Sequence, residues 1–280
     1  MKFFKSLGVF GVACVSLFGG PLSFSTGDPD GLIATASRIP QPGVLGIESA
    51  DDFILALPST IQHATFTGLI TGGTTGDIVD VNVDLYHVFP ADSDTVRIPN
   101  VNTRTNSPSD TEFDGRNAVA GTLSFSASVL NPSFTAGNSI LNGIHPAPGQ
   151  LTGGEGPVTG LEVLFDITFT TPFNLPPDHY FFVPTVQLSS GEFFWLSAPR
   201  PIVAPGTPFA PDLQSWTRNE DLDPDWSRVG ADIVGGAAFN AAFTLDGTTV
   251  PEPSTIALAI AGGLAFVLLR WRSASSVKKV

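Results

Sequence analysis

Residues 78–89 read IVDVNVDLYHVF, and this stretch decides the fold class. Val79, Val81, Val83 and Leu85 stand at every second position, with Asp80, Asn82 and Asp84 between them. Side chains alternate across a strand with a period of two, so this spacing gives one apolar face and one polar face. An amphipathic helix needs apolar residues three or four apart, and the stretch does not supply them. The alternation recurs further along the chain. In TLSFSASVL, Leu123, Phe125, Ala127 and Val129 oppose Ser124, Ser126 and Ser128. In LEVLFDITFT, Leu161, Val163, Phe165, Ile167 and Phe169 share a face. HATFTGLI, HYFFVPTVQL, GEFFWLSA and AAFNAAFTLDG are further strand-like runs, joined by proline and glycine clusters such as HPAPGQLTGGEGP and APRPIVAPGTPFAPD. No helical period stands out between the termini. Strands with one buried and one wet side predict an all-β fold, an antiparallel β-sandwich of jelly-roll type with long Pro/Gly loops.

Composition agrees with that expectation. The 280 residues include 29 Gly, 24 Pro and 22 Phe, a mixture that favours short strands and many turns over long helices. The apolar share of 42% is enough for a core. Net charge is −13, yet all four lysines lie at the termini, at positions 2, 5, 278 and 279. Between Thr26 and Val250, seven arginines face 25 acidic residues. Such a surface repels phosphate, which argues against a nucleic-acid partner and points to solubility or to cation binding. The one cysteine, Cys14, sits in the N-terminal apolar run, so a chain that loses this run has neither thiol nor disulfide.

The two ends differ from the middle. MKFFKSLGVFGVACVSLFGGPLSFS opens with Lys2 and Lys5, continues apolar, and closes on small residues with Ser23 and Ser25 at cleavage-site spacing. This is the three-part pattern of a secretory signal, predicted over residues 1–25 as a signal helix. A buried N-terminal helix is the alternative, as is lipid attachment at Cys14, against which the apolar run continues past the cysteine. At the far end, Ile256–Leu269 carries no polar side chain, and Trp271 extends the segment. Sixteen helical residues reach about 24 Å, just short of a typical hydrocarbon core. Arg270, Arg272, Lys278 and Lys279 follow as a stop-transfer cluster, which orients the helix with its C-terminus in the cytoplasm. Ahead of it, Pro251-Glu252-Pro253 cannot continue a helix and holds the chain extended just outside the membrane. Ser254 is placed to cap the helix that follows. The expected organisation is a signal at 1–25, a β-sandwich over 26–247, and a tail over 248–280 with one transmembrane helix.

These parts, taken in order, resemble the PEP-CTERM sorting domain of exported proteins in Gram-negative bacteria. The match runs from Val250 to Lys279 and includes Pro251-Glu252-Pro253, Ser254-Thr255, Gly262-Gly263 in the helix and the arginines after it. Trp271 and a serine-rich stretch dilute its basic cluster. The resemblance implies that Pro251, Glu252 and Pro253 are the signal read by exosortase, a membrane transpeptidase often encoded beside exopolysaccharide genes. It also implies a temporary anchor in the inner membrane, with the β domain in the periplasm and later at the cell surface or outside the cell. Two phrases in the middle, Val88-Phe89-Pro90-Ala91-Asp92-Ser93 and Thr152-Gly153-Gly154-Glu155-Gly156-Pro157, are similar to a recurrent kind of PEP-CTERM protein. That likeness implies membership of a group and no activity.

The chain contains no HExxH, GxSxG, GxxxxGK[ST] or GxGxxG. Its four histidines, His63, His87, His145 and His179, are scattered, and His87 falls on the apolar side of its strand, where a hydrogen-bonded core histidine is expected. Carboxylates are plentiful enough to hide a glycosidase pair that sequence cannot pick out. Calcium is the one cofactor the pattern offers. Asp221, Asp223 and Asp225 in NEDLDPD put oxygen ligands at alternating positions, although Trp226 stands where an EF-hand needs glycine. Asp28-Pro29-Asp30-Gly31 is a second acidic turn. Trp216 and Trp226 flank the first of these turns and are candidates for stacking on sugars, whereas Trp195 in GEFFWLSA is expected in the core. Three functional readings stand. The first is an exported envelope or matrix protein without catalytic activity, handled by exosortase and associated with exopolysaccharide or biofilm. The others are a carbohydrate-binding module, with calcium as its cofactor, and a secreted polysaccharide hydrolase.

Overall fold

The computed structural model describes residues 19–94, 106–144, 151–199, 214–221, 225–236, 238–250 and 262–264. Contacts divide the chain into Pro21–Thr249 and a second unit of Met1–Gly20 with Val250–Val280, most of which lies outside the described residues. The segment read as the membrane span and residues 1–20 of the one read as signal helix fall there. Among the described residues no helix is long and apolar enough to cross a membrane.

The larger unit is built of β1 (Pro21–Ser25), β2 (Ile33–Ala36), β3 (Ile47–Leu55), β4 (Ser59–Thr71) and β5 (Ile78–His87). There follow β6 (Asp114–Asn117), β7 (Ser124–Ala136), β8 (Asn138–Ile140), β9 (Val158–Leu175) and β10 (Asp178–Leu188). The last five are β11 (Glu192–Ala198), β12 (Trp216–Asn219), β13 (Ser227–Arg228), β14 (Asn240–Ala241) and β15 (Phe243–Thr249). A six-stranded sheet runs β13-β12-β3-β10-β5-β6. A nine-stranded sheet runs β1-β15-β4-β11-β2-β8, with β9 also on β4, β7 on β9 and β14 on β11. Every pairing is antiparallel except β2 with β8. The all-β expectation is met.

Strand β4 is the junction of the larger sheet. One of its edges pairs with β9 from Ser59↔Leu175 to Ile70↔Leu161. The other edge pairs with β15 as far as Phe66↔Phe243, then with β11 from Gly68↔Trp195 onward. Gly68 sits at the change of partner, where a Cβ would run into the Phe193 ring and lie 2.5 Å from the Phe194 carbonyl oxygen. Only glycine lets the two backbones come this close.

Both sheets contribute to one core. Phe53, Val81, Val83, Leu85 and Phe182 from the smaller sheet meet Phe66, Phe165, Phe193, Trp195 and Phe243 from the larger. Phe66 stacks on Phe165 at 4.6 Å, and Phe182 on Phe243 at 5.0 Å. The outward side of β11 is covered as well, because Phe194 and Leu196 join Ile33, Ile47, Val229 and Ile233 in a second cluster.

Two findings differ from a simple reading of alternation. The outer face of the six-stranded sheet is not wet: Ala50, Tyr86, Phe181, Val183, Trp216 and Trp226 form a third apolar cluster there. Loops lying over the sheet exclude water from positions that alternation alone assigns to the surface. At the start of β5, Val79 is exposed although it shares the parity of Val81, because the pairing with β10 slips by one residue there, from Gln187↔Asp80 to Leu188↔Ile78, and Ile78 packs on the core in its place. Strand β1, moreover, lies inside the stretch read as the signal segment. It pairs with β15 from Pro21↔Thr248 to Ser25↔Thr244 and buries Phe24 in the shared core.

Candidate functional site

The outer face of the six-stranded sheet holds a groove of about 410 Å³. Glu48 on β3, Asn82 and Asp84 on β5, Thr185 on β10 and Arg218 on β12 line it, with Arg38 and Glu220 from flanking loops. Register explains the convergence. Arg218 stands directly opposite Glu48, and Thr185 opposite Asn82, so neighbouring strands present these side chains side by side.

At one end the groups are locked together. Arg218 Nε donates to Glu48 Oε2, and the Tyr86 hydroxyl donates to Glu48 Oε1 at 2.7 Å. The guanidinium also reaches the Tyr86 oxygen at 3.2 Å and the Asp110 carbonyl at 3.2 Å, and lies 4.3 Å above the Trp226 ring. Burial pushes the Tyr86 phenol far up, and the charge of Glu48 adds to the effect, so Tyr86 remains a donor. Trp226 Nε1 donates to the Ser109 carbonyl at 3.1 Å, which ties two loops over the sheet.

The middle of the groove is different. Asp84 accepts no hydrogen bond and faces no cation among the described residues. Burial pushes its carboxyl well above the ordinary 3.8, and Glu112, Glu48 and Asp114 push it further in the same direction. The carboxylate lies against β6, where a Cβ on Gly115 would come within 2.5 Å of Asp84 Oδ1. Thr185 is only 4% exposed, and its hydroxyl has no partner within the described protein. Asn82 accepts from Asn117 through Oδ1, which leaves its amide N–H groups to the groove. A carboxylate, a hydroxyl and the N–H groups of an amide therefore share one cavity wall without being used by the fold. That is a set of contacts for a polar ligand.

Arg38 borders this groove and two neighbouring depressions, of about 480 and 180 Å³. It is ion-paired with Glu192 at 2.6 Å, and Glu220 Oε2 accepts from the Gly46 N–H at 3.1 Å. These contacts hold the turn over residues 38–46 between the three depressions.

The structure bears on the residues singled out in the sequence in different ways. Pro251, Glu252, Pro253, Arg270, Arg272, Lys278 and Lys279 lie outside the described residues, as do Asp223 and His145. Trp216 and Trp226 require a correction. They are 1% and 2% exposed and serve as the floor of the third apolar cluster, so neither presents a face on which a sugar could stack. The tryptophans flank an acidic turn, but they belong to strands or loops that fold back onto the sheet. The Asp221 N–H donates to Asn219 Oδ1 at 3.1 Å, a local turn contact, and among the described residues no three histidine, cysteine or acidic side chains converge as a metal site. Asp30 accepts from Ser197 Oγ at 2.5 Å and from the Leu32 N–H at 2.9 Å. His87 is half-buried beside the core, hydrogen-bonded to Asp92 at 2.5 Å and packed on Phe113 and Tyr180. His63 and His179 pair with Asp166 and Asp52, each at 2.7 Å. Trp195 lies in the core, as its strand context implied. Nothing in the sequence marks Glu48, Thr185 and Arg218 as site residues, and Asp84 stands out only as part of a polar strand face. The polar face of β5 was visible in IVDVNVDL, but nothing in it shows that β3, β10 and β12 carry the complementary groups.

Comparison with protein-family models, with curated proteins and with solved structures finds no match to this chain.

Proposed function

We propose that this is an exported cell-envelope protein whose β-sandwich, jelly-roll-like in kind, binds exopolysaccharide without catalysing a reaction. The ends supply the addressing. The N-terminal segment directs export, the C-terminal apolar segment spans the inner membrane, and Pro251-Glu252-Pro253 is the signal for exosortase. The sequence pattern of the tail supports this part of the reading.

The observation that carries the binding part is the groove on the six-stranded sheet. Its volume of about 410 Å³ suits a small polar ligand or one unit of a polymer. It offers a carboxylate, a hydroxyl and amide N–H groups that the fold does not consume, the mixture that recognises a polyhydroxylated surface. Three depressions meeting at Arg38 give a chain-like ligand somewhere to continue. A glycan-binding screen of the full-length chain in detergent tests the reading, with Thr185→Trp as a variant that fills the groove. Binding by the native chain and at least a tenfold loss in the variant are expected. A blank screen, or equal binding by the filled variant, overturns it. A chelator arm on the same screen tests whether calcium is involved, and release of reducing ends tests for hydrolysis.

A further inference from the structure

The charges around the groove do not balance. Arg218 is taken by Glu48, Arg38 by Glu192 and Arg116 by Asp114, the last in a two-pronged pair at 2.6 and 3.0 Å. Once these pairs are set aside, the ionisable groups left are Asp84 and Glu220 in the groove wall and Glu112 close enough to act on Asp84, all of them acids with no cation to match them among the described residues. An uncompensated carboxylate in a part-buried site favours a cationic ligand, which restores the missing counter-charge. Among the described residues no three histidine, cysteine or acidic side chains converge as a metal site, so we consider a cation of another kind. The cation has to be one that needs a single carboxylate and brings hydrogen-bonding atoms of its own. The Thr185 hydroxyl and the Asn82 amide N–H groups stand in the same groove as Asp84 and can meet such atoms.

We propose that the groove takes an amino-sugar unit of a polysaccharide, with its protonated amine against Asp84 and its ring hydroxyls on Thr185 and Asn82. This rests on the reading of the groove as a polysaccharide site and adds the chemical class of the sugar. The ammonium supplies the charge that no described side chain gives Asp84. The depressions on either side of Arg38 receive the neighbouring units.

The test is calorimetry of the full-length chain with three hexasaccharides: β-1,4-linked glucosamine, its N-acetylated form, and a glucose hexamer. Measurements near pH 6 keep the amine protonated, and about 0.15 M salt screens general attraction to an acidic protein. The amine form should bind about tenfold or more tightly than the other two, as an ionic hydrogen bond implies. Asp84→Asn should bring the three hexamers to within about twofold of one another, and Thr185→Val should weaken all of them by several-fold. Asp246→Asn removes the same charge from the opposite sheet and should change nothing. Equal binding of the three hexamers by the native chain overturns the amino-sugar assignment and leaves the polysaccharide reading standing. An Asp84→Asn chain that still prefers the amine form also overturns it. Failure of all three to bind removes both.

Discussion

Asp84 is held against its own stability. An acid whose carboxyl is raised in the folded state takes up a proton on folding. Its contribution is therefore most favourable below the unfolded value of 3.8 and declines as pH rises toward the raised one. Asp84→Asn keeps the shape and removes the charge, so the variant should melt higher than the native chain near neutral pH. A gain on the order of 1 kcal/mol is about 2–4 °C in a unit of this size. At about pH 3, where aspartate is protonated in both states, the two melting curves should coincide. A variant that is less stable at neutral pH would show that the carboxylate is structural. Glu155 is the opposite case. It accepts the backbone N–H groups of Leu141, Asn142 and Gly143 at 2.8–2.9 Å and pins the loop before β9. Gly153, Gly154 and Gly156 around it all have left-handed φ, and a Cβ on Gly154 would press on Asn138 and Ser139. The phrase TGGEGP is thus a loop clasp. Glu155→Ala should cost on the order of 1 kcal/mol and open this loop to proteolysis, measured by melting and by limited digestion.

Among the elements, β4 carries the most consequence. It is paired on both edges along its length, and Phe66 from its middle touches Phe165 and Phe193, at 4.6 and 5.9 Å. Phe66→Ala should cost about 3–5 kcal/mol. Gly68→Ala should cost about 1–3 kcal/mol, because its methyl group meets backbone as well as a ring. Urea unfolding of both variants checks the pair, and near-native stability of Gly68→Ala would contradict the close approach. Strands such as β5, β9 and β10 were legible because their side chains alternate and their ends are marked by Gly and Pro. The sides they bury were only half legible. Phe181 and Val183 have the parity of an outer face yet are covered, because the loops carrying Ser109 and Trp226 lie over them. Period two gives two faces and does not say how many are covered. The groove stayed hidden for a related reason: Glu48 and Arg218 are separated by 170 residues and meet only through the register of β3 with β12.

For the whole chain the predictions concern its ends. Replacing Pro251, Glu252 and Pro253 with alanine should leave the protein in the membrane fraction but stop its processing. Release equal to that of the native chain would contradict the sorting reading. The mature protein should also retain Pro21–Ser25, since cutting after Ser25 removes β1 and the buried Phe24. N-terminal sequencing of the exported form checks this, and a chain beginning at Thr26 would show that β1 is dispensable. The pairing of β1 with β15 also bears on timing. If the chain is exported as proposed, N-terminus first, it delivers β1 at the outset and its partner more than 200 residues later. Closing so long a loop is entropically slow, and until it closes the edge of β1 lies open to wrong partners. The last ladder can zip up only as the prolines behind it arrive, so on the proposed sorting reading the completed sandwich and the presented address tag become available in the same moment.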